Sequence, residues 1–184
     1  DETELFDVVD DNLSNEITIP EGIERIGPLV FENRTKLRDV AFPNSLKEIG
    51  DRAFARCDNL TAVSLPDSVV KLGKYAFFRC SSLASIHLSE GLREIPDYCF
   101  SYSNLQSIVI PENITKIGFG SFARIVYLKG VYLPKSLKVI GTLAFAWSNK
   151  AQFYYAGNAT EFQKIQKRKD WNRYVADQTI YYQH

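Results

Sequence analysis

The sequence is poor in the residue types on which metal and acid–base chemistry most often depends. Its 184 residues include two histidines, one of them the last residue, three cysteines and no methionine. Histidine is the commonest metal ligand, and zinc sites need closely spaced cysteine or histidine ligands. We therefore expect no metal site and no cofactor. The missing methionine predicts that the sequence begins inside a longer gene product, from which a segment was removed or trimmed.

The sequence also lacks an excess of one charge and any long apolar run. Twenty-two Lys and Arg balance twenty-two Asp and Glu, so the net charge is zero. A protein that binds nucleic acid needs a basic surface, and we expect no nucleic-acid partner. No apolar run reaches the roughly 18–20 residues that cross a bilayer, so no direct membrane insertion is expected. A hydrophobic fraction of 45% is nevertheless enough to form the core of one domain.

A 23-residue period organises most of the chain. Prolines keep this spacing, with Ser89 where one is missing, and so do aliphatic residues that glycine usually follows, as in Leu72-Gly73. Residue classes that share one period indicate a repeat protein, whose units bury their apolar side chains by stacking. The phenylalanines of the period are Phe31, Phe54, Phe77, Phe100, Phe122 and Phe145. The units are 17–39, 40–62, 63–85, 86–107, 108–130 and 131–152.

The apolar spacing within one unit changes from that of a strand to that of a turn. Val63 and Leu65 are two residues apart, which is the period of a strand with one buried face. Pro66 follows and ends the hydrogen-bond ladder because it has no N–H to donate. The stretch around Ala76 and Phe77 is compatible with a helical or 3₁₀ turn. Stacked units would pair their strands about 4.8 Å apart and align the buried residues in columns.

The repeat L-x-x-I-x-L-P-x-S-L-x-x-I-G-x-x-A-F-x-x-C, matched at nearly every marked position from Leu60 to Cys80, resembles the BspA-like leucine-rich repeats. The resemblance covers about residues 14–155. It implies an α/β fold: a right-handed solenoid with short parallel strands on the concave face and helical or 3₁₀ turns on the outer side. It also implies a secreted or cell-surface protein associated with adhesion. Lys150 stands where the strand-opening leucine belongs, so we expect regular stacking to end there.

The two ends of the chain differ from the repeats at 17–152. Residues 1–16 contain seven Asp and Glu and form either an acidic N-terminal arm or a degenerate first cap. Residues 153–184 are expected to form a C-terminal cap, because terminal units must shield the open core. Within this cap, Thr160-Glu-Phe-Gln163 predicts a capping box that opens a short helix running to about Arg168.

Two further features have both structural and chemical interpretations. Cys57 and Cys80 occupy equivalent positions in adjacent units, where they would form either a disulfide or, as we favour from the family, a column of buried thiols. Asn-x-Ser/Thr sequons, which matter only in a host that glycosylates proteins, include those at Asn12, Asn33, Asn113 and Asn158. Asn and Ser/Thr are also favoured in turns.

The outward-facing residues of the expected concave face are the candidate binding residues. Small polar residues dominate its middle, while charged and aromatic residues gather at its flanks, where tyrosines could anchor a partner. His87 points outward, but the sequence has neither a nucleophile elbow nor an orienting acid near it, so we expect a surface histidine. The candidates are Arg38, Asp39, Ser64, Ser85, His87, Gln106, Tyr132 and Tyr154.

These observations predict a non-catalytic module of a secreted or cell-surface protein that mediates adhesion or another protein interaction. Its partner would be a protein, for example on the surface of a host or neighbouring cell. The alternative is a carbohydrate-binding module, motivated by the tyrosines and carboxylates near the C-terminal strands, or, less favoured, a glycan-acting enzyme. Glycoside hydrolysis would require paired carboxylates about 5–9.5 Å apart, and the sequence shows no obvious pair on one face.

Overall fold

The structure is a computed structural model, and it describes residues 3–5 and 15–182. In this part the chain forms a β-solenoid of about seven coils, in which the strands pair in parallel with those of the next coil. One series of strands, which we call the strand face, consists of β2 (Glu16–Thr18), β4 (Asp39–Ala41), β6 (Ala62–Ser64), β8 (Ser85–His87), β10 (Ser107–Val109), β12 (Gly130–Leu133), β14 (Gln152–Tyr155) and β16 (Ile180–Tyr182).

A second series of shorter strands forms what we call the side face. It consists of β1 (Glu4–Leu5), β3 (Arg25–Ile26), β5 (Glu48–Ile49), β7 (Lys71–Leu72), β9 (Glu94–Ile95), β11 (Lys116–Ile117), β13 (Val139–Ile140) and β15 (Gln166–Lys167). The described residues contain one helix, α1 (Ala159–Lys164). The solenoid of parallel strands is therefore as expected, whereas the helices expected for an α/β class are nearly absent from the described residues.

The predicted strand periodicity is present on the strand face. In β6, Val63 is buried while Ala62 and Ser64 are exposed, and Val63 lies opposite Ile86 of the next coil. The outer side of each coil differs from the prediction, because the described residues there form a run of turns and no 3₁₀ helix.

The turns of the outer side contain residues with left-handed backbone. Between Gly50 and Cys57, Arg52 has a φ of 55° and Arg56 a φ of 59°. Each is the third residue of a hydrogen-bonded turn, closed by Ala53 N–H to Gly50 O and by Cys57 N–H to Phe54 O. Arg52 and Arg56 donate their own N–H groups to the next coil, which excludes a helical ladder. A left-handed conformation costs a residue other than glycine about 1–2 kcal/mol.

The phenylalanines of the repeat form one column through the core. Phe31, Phe54, Phe77, Phe100, Phe122 and Phe145 are fully buried, and neighbouring rings are stacked with centroids 4.9–5.6 Å apart. Trp171 lies at the end of this column. Its ring is perpendicular to that of Phe145, with the two centroids 6.2 Å apart, so it does not continue the stack. Edge-to-face contact at this place ends the stack while keeping the last ring covered.

The glycines behind the side-face strands are required by the close approach of neighbouring coils. A Cβ atom on Gly73 would lie 2.3 Å from the backbone N of Asp51, and one on Gly141 would lie 2.6 Å from the carbonyl carbon of Gly118. Neither glycine has a positive φ, so packing rather than conformational freedom explains them.

Pro96 replaces a glycine in this column and interrupts the side face. Gly73 N–H donates to Ile49 O, and Gly118 N–H donates to Ile95 O. Pro96 has no N–H with which to make the equivalent bond to the preceding coil. The side face is divided at this place, into one sheet that ends at β7 and another that begins at β9.

The C-terminal segment corrects two expectations. Stacking does not end at Lys150, because β14 pairs with β12 and β16 pairs with β14. Ala151 is fully buried and takes the place of the missing leucine, with its N–H bonded to Ser148 O.

The expected capping box at Thr160–Gln163 is also wrong. The N-cap of α1 is Asn158, whose side chain accepts a hydrogen bond from Glu161 N–H while the Glu161 carboxylate accepts one from Asn158 N–H. The helix ends at Lys164, before Arg168, because residues 166–167 form β15. Of the acidic segment 1–16, Glu4 and Leu5 pair with β3 and Glu16 opens β2, while Asn12 and its sequon lie outside the described residues.

The cysteines are free thiols in the core. Cys57 Sγ donates to Phe31 O and Cys80 Sγ donates to Phe54 O, each at 3.1 Å. Burial raises the pKa of Cys57 to about 12, so its thiol is protonated and unreactive at neutral pH. Ser148 makes the equivalent bond to Phe122 O at 2.9 Å, which explains why either residue suits this position.

Candidate interaction surfaces

The strand face presents the predicted residues to solvent. Asp39, Ser64, Ser85, His87 and Tyr132 are exposed on their strands, and Tyr154 is half-buried. Arg38 and Gln106 are exposed directly before β4 and β10. The structure thus places all eight on one face, but it spreads them over six coils, and their role in binding stays a prediction.

The middle of the strand face consists of small polar residues. Ser64 and His87 lie opposite each other in register, with Ser85 at the other outward position of β8. The His87 carbonyl accepts a backbone hydrogen bond from Leu65 N–H, but its imidazole forms no hydrogen bond to any residue that the structure describes, so no serine–histidine pair is formed here. A nucleophile needs a base in hydrogen-bond contact, and this arrangement does not provide one.

Three tyrosines form a stack at the C-terminal end of the strand face. The rings of Tyr132 and Tyr154 are 4.9 Å apart at 17°, and those of Tyr154 and Tyr181 are 5.2 Å apart at 24°. Gly130 makes room for the first ring, because a Cβ there would lie 3.1 Å from Cε2 of Tyr132. Sequence analysis missed Tyr181, since helix α1 lengthens the last coil and shifts the residue out of the 23-residue period.

An apolar groove adjoins the tyrosine stack. It has a volume of about 220 Å³, and its lining is apolar except for Glu112. The lining residues are Val109, Ile110, Glu112, Tyr132, Leu133, Pro134, Tyr154 and Ala156. Val109 is 66% exposed, which is high for an aliphatic side chain on a strand. The groove and the stack together form one exposed apolar area on an otherwise polar face.

Hydrogen bonds fix the tyrosine hydroxyl groups. Tyr154 donates to Gln152 Oε1 at 3.1 Å, and Tyr181 donates to Asp177 Oδ2 at 3.3 Å. Thr179 N–H donates to Asp177 Oδ1 at 2.9 Å, and this bond lowers the pKa of Asp177. The negative charge of Asp177 in turn raises the pKa of Tyr181. The rings are therefore held in place before any partner binds.

The centre of the stack does not suit the alternative role in glycan binding or hydrolysis. A sugar-binding platform needs an open ring face, and both faces of Tyr154 are covered by neighbouring tyrosines. A general acid for glycoside hydrolysis needs a raised pKa, whereas that of Asp177 is lowered. The stack offers ring edges and an apolar groove, which are better matched to protein side chains.

The outer turns carry a second surface, which sequence analysis missed. At the second left-handed position of successive coils lie Arg56, Arg79, Tyr102, Arg124, Trp147 and Tyr174, which we call the arginine ridge. The guanidinium groups lie over the rings: Arg79 is 5.0 Å from the Tyr102 centroid, and Arg124 is 5.5 Å from that centroid and 4.5 Å from Trp147. Such contacts contribute about 0.5–1 kcal/mol each at exposed sites.

The signal for the ridge was present in the 23-residue period. Arg56 and Arg79 each precede a cysteine of the repeat, and Tyr102, Arg124 and Trp147 follow at the same spacing. Their outward direction depends on the left-handed backbone, which the sequence pattern did not reveal.

The described ranges, 3–5 and 15–182, lack two other kinds of feature. No group of three or more His, Cys, Asp or Glu residues could hold a metal ion there. No helix there has the length and apolar character needed to cross a membrane.

The repeat units match a known family. The profile of the "BspA type Leucine rich repeat region (6 copies)" aligns with residues 9–124 and 47–166. This chain belongs to the BspA-type leucine-rich-repeat family. The resemblance seen in the sequence is thereby confirmed. Leucine-rich repeats are commonly used for protein interaction or adhesion and are generally non-catalytic.

Solved structures of bacterial leucine-rich-repeat proteins resemble the BspA-type solenoid. The T. pallidum protein TpLRR is 28% identical with a TM-score of 0.71, over 74% of this chain and 67% of TpLRR. A protein from Eubacterium ventriosum is 20% identical with a TM-score of 0.86, over 97% of this chain and 47% of its own. A structure from Faecalibacterium prausnitzii, described as a leucine rich cell surface protein, is 22% identical with a TM-score of 0.58, over 82% and 62%.

The chain thus spans about half to two thirds of the length of these structures. None of the curated proteins compared with the BspA-type chain is similar enough to count as a match.

Proposed function

We propose that this BspA-type chain is a non-catalytic module of a secreted or cell-surface protein, and that it binds a protein partner through the strand face. The observation that carries the proposal is the exposed apolar area formed by Val109 and the stack of Tyr132, Tyr154 and Tyr181. Tyrosines with few rotatable bonds, already fixed by packing, lose little entropy when they contact a partner.

The rest of the strand face supplies the periphery of this contact. Ser64, Ser85 and His87 form a flat polar area, and Arg38 and Asp39 add charge at its N-terminal end. An apolar centre with a polar surround is the usual composition of a protein–protein interface. The predicted localisation agrees with the description of the F. prausnitzii structure as a cell surface protein.

The test is binding of the purified chain to a protein array and a glycan array in parallel. The double variant Tyr132→Ala/Tyr154→Ala removes the centre of the apolar area. Tyr127→Ala is the matched control, since Tyr127 is 55% exposed but lies in the turn before β12. We expect the double variant to weaken binding to array proteins by about tenfold or more, as for truncation of interface anchors, and the control to leave it unchanged.

Array proteins that bind the double variant as tightly as the native chain would refute the strand-face proposal. Glycan signals that disappear with the double variant, without any protein signal, would instead assign the face to carbohydrate.

A further inference from the structure

The central part of the arginine ridge carries cationic groups with no carboxylate partner. Arg79 and Arg124 are exposed, and within the described ranges neither forms a salt bridge. Several exposed cations of the side face are paired, for example Lys74 with Asp97 at 3.0 Å and Lys116 with Glu94 at 3.0 Å. Arg79 and Arg124 differ from these because aromatic rings, and no carboxylates, lie beside their guanidinium groups.

The surroundings of Arg79 and Arg124 leave these charges without compensation. The residues directly before the ridge residues of these coils are Phe78, Ser101, Ala123 and Ala146. Those two positions after them are Ser81, Asn104, Val126 and Asn149. None of these side chains is charged; the Asp58 carboxylate, 3.5 Å from Ser81 Oγ, belongs to the preceding coil, that of Arg56.

The aromatic rings orient the guanidinium groups for binding. Tyr102 lies between Arg79 and Arg124, and Trp147 covers the other side of Arg124. A guanidinium that stacks on a ring keeps its N–H groups in a plane directed outward, where they can bind a carboxylate with two parallel hydrogen bonds. Both faces of Tyr102 are occupied, so this ring is not available to stack on a base or a sugar.

Stability alone does not explain these residues. Both arginines have left-handed backbone, with φ of 58° for Arg79 and 61° for Arg124. The cost of this conformation is at least as large as the gain from an exposed cation–π contact, and Asn or Gly would avoid it. Asn33 occupies the same position in the first coil, where no such ladder is formed. The left-handed backbone recurs in the other coils, so it belongs to the repeat, and only the choice of arginine at these two positions is particular to the ridge.

We propose that Arg79, Tyr102, Arg124 and Trp147 bind an acidic segment of a partner protein. The two arginines are two coils apart, which corresponds to about 10 Å at a strand spacing of about 4.8 Å. Glutamates three residues apart in a polyproline-like peptide lie on one side, about 9.3 Å apart. A Glu-x-x-Glu segment therefore places one carboxylate on each arginine.

A peptide suits the ridge better than a sulfated polysaccharide. Tyr102 is 38% exposed and Val126 is 49% exposed, and both can contact the apolar side chains of a peptide. The ridge is separate from the strand face, so this proposal does not depend on the function proposed above.

The test is selection of nine-residue peptides from a display library on the whole chain, followed by fluorescence anisotropy with a selected labelled peptide. We expect enrichment of two acidic residues spaced by two, and binding that weakens as salt is added. Arg79→Gln and Arg124→Gln should each weaken binding by about tenfold or more, because each removes a charge-assisted hydrogen-bond pair. Arg52→Gln is the matched control, since Arg52 is also exposed and stacked on a tyrosine, at 5.4 Å from Tyr75.

A further variant separates binding from folding. Arg124→Asn should abolish peptide binding without lowering the thermal unfolding midpoint, because Asn tolerates the left-handed backbone. A lower midpoint with unchanged binding would show a purely structural role and overturn the proposal. Selection without acidic enrichment, or equal selection by Arg79→Gln/Arg124→Gln, would also overturn it. Binding of heparin but of no selected peptide would assign the ridge to sulfated glycans instead.

Discussion

The spacing of the coils can be tested at Gly73. The substitution Gly73→Ala would place a Cβ atom 2.3 Å from both Asp51 N and the carbonyl carbon of Gly50. Backbone atoms cannot rotate away as a flexible side chain does, so the two coils must separate locally. Overpacking of this kind costs about 1–3 kcal/mol.

Separation of the coils also weakens the hydrogen bonds on either side of the clash. Gly73 N–H donates to Ile49 O at 2.7 Å, and Arg52 N–H donates to Lys74 O at 2.9 Å. Each contributes about 0.5–1.5 kcal/mol. The smaller entropy of the unfolded alanine chain returns about 0.4–1 kcal/mol. We therefore expect Gly73→Ala to lower the free energy of unfolding by about 2–4 kcal/mol.

The assay is urea unfolding followed by far-ultraviolet circular dichroism, with Gly27→Ala as the matched control. Gly27 holds the same place in an earlier coil, but its Cβ would meet Leu5 O at 3.2 Å and Val30 Cγ2 at 3.5 Å, which small shifts can accommodate. The control should lose less than about 1 kcal/mol. A loss below about 0.5 kcal/mol for Gly73→Ala, or equal losses for the two variants, would refute the reasoning.

Three further predictions concern the core and the side face. Phe77→Ala, which leaves a cavity in the phenylalanine column, should lower the free energy of unfolding by about 3–5 kcal/mol. Phe78→Ala should lower it clearly less, because Phe78 is only half-buried, and similar losses for the two variants in urea unfolding would contradict the column. Above the ordinary thiol pKa of 9.0, the unfolded chain loses a proton that folded Cys57 keeps until about pH 12. Stability should thus fall by up to about 1.4 kcal/mol per pH unit more steeply in the native chain than in Cys57→Ser, and parallel pH profiles would show that this thiol does not contribute. The Glu48 carboxylate lies 3.4 Å from the Arg25 guanidinium and 3.3 Å from Lys71 Nζ. The substitution Glu48→Lys should lower the free energy of unfolding by about 0.5–1.5 kcal/mol in low salt, and by less in 1 M salt, where the Debye length is about 3 Å. A loss that does not depend on salt would argue against an electrostatic cause.

The sequence by itself determined the stacking of the chain. A side chain that recurs every 23 residues, such as Phe77, is buried only if the same position of the next unit covers it, so the period implies the column. The alternation around Val63 likewise implied one buried and two exposed positions in β6. Pro96 was visible as a departure from the pattern, and its missing N–H explains the division of the side face.

The tertiary structure decided what lies outside the period or depends on backbone conformation. Ala151 takes the place of the leucine because it lies 23 residues after Leu128, while β14 begins only 22 residues after β12 and so made Lys150 the apparent position. Tyr181 joins the tyrosine stack because helix α1 lengthens the last coil. The arginine ridge required the same kind of information. In the sequence, Arg79 and Arg124 are indistinguishable from ordinary surface residues. Only their left-handed φ angles place the guanidinium groups over the rings of neighbouring coils. The period gives the position of a residue along the coil but not the direction of its side chain.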